Sequence, residues 1–229
     1  MRNLSIGVKI NIYVITIKTR VKITKTLLTN DKKIRRALRF ILDKELVRYR
    51  KQGHDAQIIE ELGVQHGTAR IDIAIVNGIM HGYEIKSDCD TLHRLPEQVE
   101  EFNAIFDKIT LVVGKRHLYQ AMHIIPDWWG VTIAKVDVDK GVFFQTIREA
   151  ETNQNQKGIS IARLLWRNEA LSILEEQNEA AGVRSRPREF VYERLAGVLD
   201  TDTLKKQVSS LLISREGWRS DALLLSNGD

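Results

Sequence analysis

Two runs of alternating side chains, 71–76 and 79–86, meet at Asn77-Gly78, and no other feature of the sequence narrows the fold as much. Alternation means strands, and Asn-Gly between two such runs is a strong hairpin signal. The loop length decides which side chains share a face. A two-residue Asn77-Gly78 loop pairs Val76 with Ile79 and puts Asp72 and Glu84 on opposite faces. A three-residue loop, Val76-Asn77-Gly78, with Gly78 in the left-handed bulge position, pairs Ile75 with Ile79 instead. The second register partitions the side chains more cleanly. Ile71, Ile73, Ile75, Ile79, His81, Tyr83 and Ile85 fall on one face; Arg70, Asp72, Ala74, Met80, Gly82, Glu84 and Lys86 fall on the other. It predicts Asp72 opposite Gly82 and Glu84 opposite Arg70, with the two carboxylates as diagonal neighbours roughly 7–8 Å apart at Cβ.

The same reading organises the rest of the chain. Alternation over 6–17 predicts a strand. Asp31 opens a helix over 31–47, with Ile34, Leu38, Ile41, Leu42 and Leu46 as its apolar stripe and Lys32, Lys33, Arg35, Arg36 and Arg39 on the other side. A strand over 57–62 follows. Pro96 suits the first turn of a helix over 96–106. The apolar run 109–113 reads as a buried strand, 118–125 as a helix, and 131–138 with 142–147 as a second hairpin. From 160 onward the pattern is helical, over 160–179, 187–199 and 201–215, after a polar joint at 153–158. Three regions result: an extension, 1–28; a core, 29–150; and a helical domain, 151–229.

Composition removes whole classes. One cysteine, Cys89, excludes a disulfide framework and a multi-thiolate zinc site. The six histidines show no ligand spacing. No uncharged apolar stretch approaches the ~18 residues of a membrane span, and the expected location is cytoplasmic. Charge is uneven: residues 1–53 carry a net +12, residues 54–148 a net −5 and the remainder −2. A basic first third beside an acidic middle fits a polyanion partner; a solvated basic helix without a partner is the alternative. DNA is the expected partner, with RNA and a homodimeric assembly left open.

Two carboxylates and a lysine on one strand face suggest metal-assisted phosphodiester cleavage, because Mg²⁺ takes a few carboxylates plus waters and phosphate oxygens. A surface ion pair is the plain alternative for such a spacing. The stretch resembles the PD-(D/E)XK nuclease superfamily. Asp72 matches its motif aspartate and Glu84-Ile85-Lys86 its (D/E)XK, within an αβββαβ order of elements. Gln98, with Phe102 four residues on, is similar to a Gln-x-x-x-Tyr element of some members, Phe standing for Tyr. EIKSD, LPEQVE, LVVG and PDWWG look like small stand-alone bacterial and phage nuclease-like proteins, and the likeness covers about 30–135.

The resemblance implies an α/β fold, a three-layer αβα restriction-endonuclease-like core on a mixed sheet, followed by the helical domain. It implies a DNA nuclease dependent on Mg²⁺, with Mn²⁺ as a substitute. Catalysis would rest on Asp72, Glu84, Lys86 and Gln98, and metal binding on Asp72, Glu84, Ile85 and Glu60, the last chosen over Glu61 as the third carboxylate. Nucleic-acid contacts would come from Lys32, Lys33, Arg35, Arg36, Arg39, Arg70 and Ser87. A nucleic-acid-binding module that keeps the fold without cleavage is the alternative.

Overall fold

A computed structural model describes residues 27–137, 139 and 141–215. The strand expected over 6–17 lies outside the described residues. The first helix, α1, spans Asp31–Lys51. The side chain of Asn30 caps it by accepting from the Lys33 N–H at 3.0 Å. Asp31 in the first turn and Arg48, Arg50 and Lys51 in the last complement the helix dipole. Ile34, Leu38, Leu42 and Leu46, one helical turn apart, are buried. Ile41, expected in that stripe, is 40% exposed.

Strands β1 (Gln57–Val64), β2 (Ala69–Val76) and β3 (Met80–Lys86) form an antiparallel meander. Helix α2 (Leu95–Asn103), with Pro96 in its first turn, leads to β4 (Lys108–Gly114), which pairs parallel to β3. The short α3 (Leu118–Met122) leads to β5 (Gly130–Asp137), parallel to β4, and β6 (Gly141–Arg148) closes the sheet antiparallel. The sheet is mixed, six-stranded and ordered as in the chain. Parallel neighbours need crossover connections, and α2 and α3 supply them.

Each sheet face has its own apolar cluster. On one, α1 packs against Ile58, Ile73, Ile75, Ile85, Val112 and Ala134. On the other, Ile71, Ala74, Val76, Met80, Leu111 and Val113 pack with Phe102, Phe106 and Trp129. Trp129 is fully buried and its Nε1 donates to Asn103 Oδ1 at 2.8 Å, so it is a core wedge.

The C-terminal helices α4 (Gly158–Ala162), α5 (Arg167–Glu176), α6 (Arg188–Val198) and α7 (Thr201–Ser214) belong to this second cluster. The helix expected over 160–179 is two helices. The boundary drawn at 150/151 marks a change of element type within one shared core. The polar joint is anchored at its first residue: the buried Asn153 donates through Nδ2 to the Asn103 and Phe106 carbonyls at 2.7 and 3.0 Å. Among the described residues, no helix is long and apolar enough to cross a membrane.

Candidate functional site

The β2–β3 hairpin turns through Asn77, Gly78 and Ile79, with Gly78 at φ 98°. The loop has the expected length and the expected left-handed glycine, but it sits one residue further along the chain. Val76 pairs with Met80 and Ile75 with His81, in place of Ile75 with Ile79. Burial explains the shift: Val76 and Met80 are fully buried in the paired strands, and the isoleucine placed in the loop, Ile79, is 41% exposed. The displacement is two places in register, so within the paired residues 73–76 and 80–83 every side chain keeps its face. The paired ladder ends at Ile73 and Tyr83; carried one step further, its register puts Asp72 level with Glu84 rather than diagonal to it, and there the Asp72 side chain takes the Ile85 N–H.

Strict alternation fails at Asp72 itself. Ile71 belongs to the cluster of Ala74 and Met80, whereas Ile73 and Ile75 belong to that of α1. The switch lies opposite Glu61, whose φ of 51° is left-handed. The β1–β2 pairing runs Glu60 with Ile73 and then Leu62 with Ile71, passing over Glu61 and Asp72. This kink decides which of the two glutamates meets the site. Glu60, the residue expected there, lies 2.8 Å from Arg39 on α1. Glu61 lines a cleft of about 830 Å³ together with Asp72, Glu84, Ile85, Lys86 and Gln98.

Glu84 is the most deeply placed of these groups, 2% exposed. Its Oε1 accepts from Lys86 Nζ at 2.6 Å and from Gln98 Nε2 at 2.7 Å. Lys86 Nζ also donates to Gln98 Oε1 at 2.9 Å, closing a triangle of buried polar groups. Glu84 Oε2 is buried without a hydrogen-bond partner. Burial first, and the neighbouring Asp72 second, push the Glu84 carboxyl up to about 8, against the pull of Lys86 and Gln98. Asp72 Oδ2 accepts from the Ile85 N–H at 2.6 Å, and Oδ1 from Arg35 Nη2 at 2.6 Å. Burial raises the Asp72 pKa, opposed by Arg35 and the Ile85 N–H.

The residues expected to bind nucleic acid separate into three groups. Arg35 and Arg39 are engaged by the protein's own carboxylates: Arg35, largely buried, pairs with Asp31, Glu61 and Asp72, and the half-exposed Arg39 with Asp43 and Glu60. Lys32, Lys33 and Arg36 are exposed on α1. Arg70 is an exposed side chain on the cleft wall, 3.6 Å from Glu61. Ser87 is 1% exposed and forms a turn, its N–H donating to Asp90 Oδ2 at 2.6 Å. Burial removes it from direct contact with a backbone phosphate.

Sequence reasoning missed Asp31, Glu61 and Arg35 as partners within the site. It also missed the clamp made by Asp88. Asp88 Oδ2 accepts from the N–H and hydroxyl of Thr29 at 2.9 and 2.8 Å, and Oδ1 from the Arg116 N–H at 2.9 Å. A Cβ on Gly114 would lie 2.5 Å from Asp88 Oδ1, so only glycine admits this approach. The clamp fixes the start of α1 beside the end of β3. The signal was present in the Ser87-Asp88 that follows Lys86, but its partner is 59 residues away.

The donor set suits a hard cation. Two neighbouring carboxylates and a main-chain oxygen at Ile85 are oxygen donors of the kind Mg²⁺ takes, and Glu84 Oε2 is a buried oxygen without a partner. Among the described residues no three His, Cys, Asp or Glu side chains form a closed metal group; Mg²⁺ usually keeps several waters and needs only one or two carboxylates. Asp31, Asp90, Glu97, Glu100 and Glu101 also line the cleft, against Arg70, Lys86 and Arg94.

A family model described as bacteriophage P4 protein cII matches residues 25–227, most of the chain. Protein cII of Enterobacteria phage P4 is 47% identical over 62 residues, which cover 27% of this chain and 24% of that protein. The chain thus spans about a quarter of that relative's length in the match. A solved protein of unknown function from Silicibacter pomeroyi aligns at 16% identity over 58% of this chain and 86% of its own, with a TM-score of 0.33. That score is too low to assign a fold.

Proposed function

The chain belongs to the bacteriophage P4 protein cII family, and within that family we propose that its cleft hydrolyses phosphodiester bonds of DNA with the help of a divalent cation, on a restriction-endonuclease-like core. The observation that carries this reading is Glu84: a buried carboxylate beside Asp72, held through one oxygen by Lys86 and Gln98, with the other oxygen unpartnered. Leaving a buried acceptor unsatisfied is costly, and a cation at this place would remove the cost. Mg²⁺, or Mn²⁺ in its stead, held by Asp72, Glu84 and the Ile85 main chain would polarise the phosphate and acidify a water.

The chain's own residues do the rest. Glu84 and Gln98 fix the Lys86 ammonium at the cleft wall, where it can orient the attacking water or offset charge on the phosphate in the transition state. Gln98 holds Glu84 and Lys86 in register from α2. Arg70 and Arg94, on the same cleft, suit the flanking phosphates. The acidic lining makes the site unwelcoming to a polyanion in the absence of cations, which supports cation dependence.

A second reading, a nucleic-acid-binding module without cleavage, is favoured by one observation: both Asp72 oxygens are already engaged, by Ile85 and Arg35. Incubation of linear and circular duplex DNA with Mg²⁺, Mn²⁺ or EDTA separates the two. Cleavage should require the cation and fall at least ~100-fold, the usual cost of losing a charge-stabilising group, in Asp72→Asn, Glu84→Gln and Lys86→Met. Wild-type rates in either carboxylate variant would remove the nuclease assignment. Salt-sensitive binding without cleavage would select the second reading.

A further inference from the structure

Besides Lys86 on Glu84, a second cation stands against the carboxylates of the cleft, on Asp72. Arg35 reaches from α1 with only 20% of its side chain exposed. Its Nη2 lies 2.6 Å from Asp72 Oδ1 and 3.3 Å from Asp31 Oδ1. Its Nη1 donates to the Asp72 carbonyl at 3.0 Å and lies 2.8 Å from Glu61 Oε1. The left-handed backbone of Glu61, a conformation that costs a non-glycine residue energy, is what turns that carboxylate out of strand alternation toward the guanidinium. Asp31, Glu61 and Asp72 all line the cleft. Arg35 thus gathers three of its acidic groups. Burial works against the guanidinium's charge, and the attraction of Asp72 and Asp31 overcomes it, raising the Arg35 pKa.

The two central carboxylates are consequently unequal. Glu84 keeps an unpartnered oxygen. Asp72 offers none: Oδ2 holds the Ile85 N–H and Oδ1 holds Arg35. A guanidinium and a divalent cation on the same carboxylate repel one another strongly where water is excluded. Resting on the reading of the cleft as a cation-dependent site, we propose that Arg35 is a built-in counter-cation. It offsets part of the charge of Asp31, Glu61 and Asp72 while no divalent ion is bound, and it must release Asp72 before the ion can be held there. Arg35 therefore sets the ion affinity of the site from a helix that contributes no metal ligand. The opposite role, a positioning residue that holds Asp72 ready for the ion, makes the reverse prediction.

Calorimetric titration with Mn²⁺ distinguishes them, using wild type, Arg35→Met, Arg35→Lys and, as a control at the site, Glu84→Gln. Arg35→Met should bind Mn²⁺ about tenfold more tightly or better, within the usual range of coupling between linked sites, and should melt at a lower temperature than wild type until Mn²⁺ is added. Arg35→Lys keeps the charge but cannot fork across three carboxylates, so it should fold normally and bind with intermediate affinity; it decides the matter alone if Arg35→Met fails to fold. If wild type binds Mn²⁺, Glu84→Gln abolishes that binding, and both Arg35 variants bind no more tightly than wild type, the counter-cation role is overturned and the nuclease reading stands. If neither wild type nor any variant takes up Mn²⁺ at millimolar concentration, both fall together.

Discussion

His81 and Glu84 stand on opposite faces of β3, and their protons pull stability in opposite directions. His81 faces α1, its Nε2 2.9 Å from Thr110 Oγ1 and its ring stacked on Tyr83 at 4.4 Å. Burial, with Lys108 nearby, lowers its pKa from 6.5 to about 4. The unfolded chain therefore binds more protons than the folded one between those values, and His81 destabilises the fold as pH falls through that window. Glu84, raised from 4.5 to about 8, works the other way: the folded, cation-free protein holds the proton longer, and stability is lost as pH rises through the range. Denaturant unfolding at pH 7, 5.5 and 4.5 should show His81→Gln losing less stability than wild type on acidification. The difference should approach ~2 kcal/mol, given about 1.4 kcal/mol per pKa unit. Parallel pH profiles for the two proteins would mean that His81 is not held neutral by its surroundings.

Helix α1 shows how far a sequence can be read and where reading stops. Its inward stripe is legible because burial follows the helical period, and Ile34, Leu38, Leu42 and Leu46 obey it. The hairpin is legible for a related reason: a period of two survives a two-place slip, so Asp72, Glu84 and Lys86 keep a common site although the loop moves. The basic face is misread because charge in a sequence carries no address. Arg35 and Arg39 lie within one turn of Lys32 and Arg36, yet they find carboxylates on β1 and β2. The choice of Glu60 over Glu61 fails because a left-handed residue within a strand breaks alternation without a glycine to announce it. The structure leaves Lys32, Lys33 and Arg36 as the outward charges of the first turns. If this face binds duplex DNA, replacing those three with Gln should reduce the log–log salt slope by roughly 0.9 for each phosphate no longer neutralised. Arg39→Gln should leave the slope alone, and a reversed pattern would place the DNA on the other side of the helix.

At the scale of the molecule, the question is whether the helices after residue 157 are an appendage or half of the core. Ile161, Leu174, Leu195, Leu204, Val208 and Leu212 share one buried cluster with Val76, Met80, Phe106 and Leu111 of the sheet side. Polar ties run across the same boundary. Lys205 Nζ lies 3.1 Å from Asp107 Oδ1, and Asp107 Oδ2 in turn accepts from the Met80 N–H at 2.7 Å, at the start of the strand that carries Glu84 and Lys86. Arg163 bonds Gln65 Oε1 at 2.8 Å, and His66 lies 3.1 Å from Glu189, pinning the turn between β1 and β2 whose Gly67 and Thr68 border the cleft. Fully burying one Leu, Ile or Val is worth about 1.5–3 kcal/mol, so removing even a handful of these partners matches the ~5–15 kcal/mol by which a whole domain is stable. The chain should therefore unfold in a single cooperative transition, with tryptophan fluorescence of a Trp166→Phe, Trp218→Phe variant, which keeps only Trp128 and Trp129 beside the sheet, and far-UV circular dichroism, to which α1 and the C-terminal helices both contribute, giving coincident curves. A chain ended after Lys157 should lack the dispersed amide spectrum of a folded protein and should give no Mn²⁺ isotherm, because the β2–β3 hairpin would be without the layer that buries its Val76 and Met80. A folded truncation, or two separated transitions in the full chain, would show instead that the sheet and the helical layer are independent units, and that the cleft is built without help from the C-terminal third.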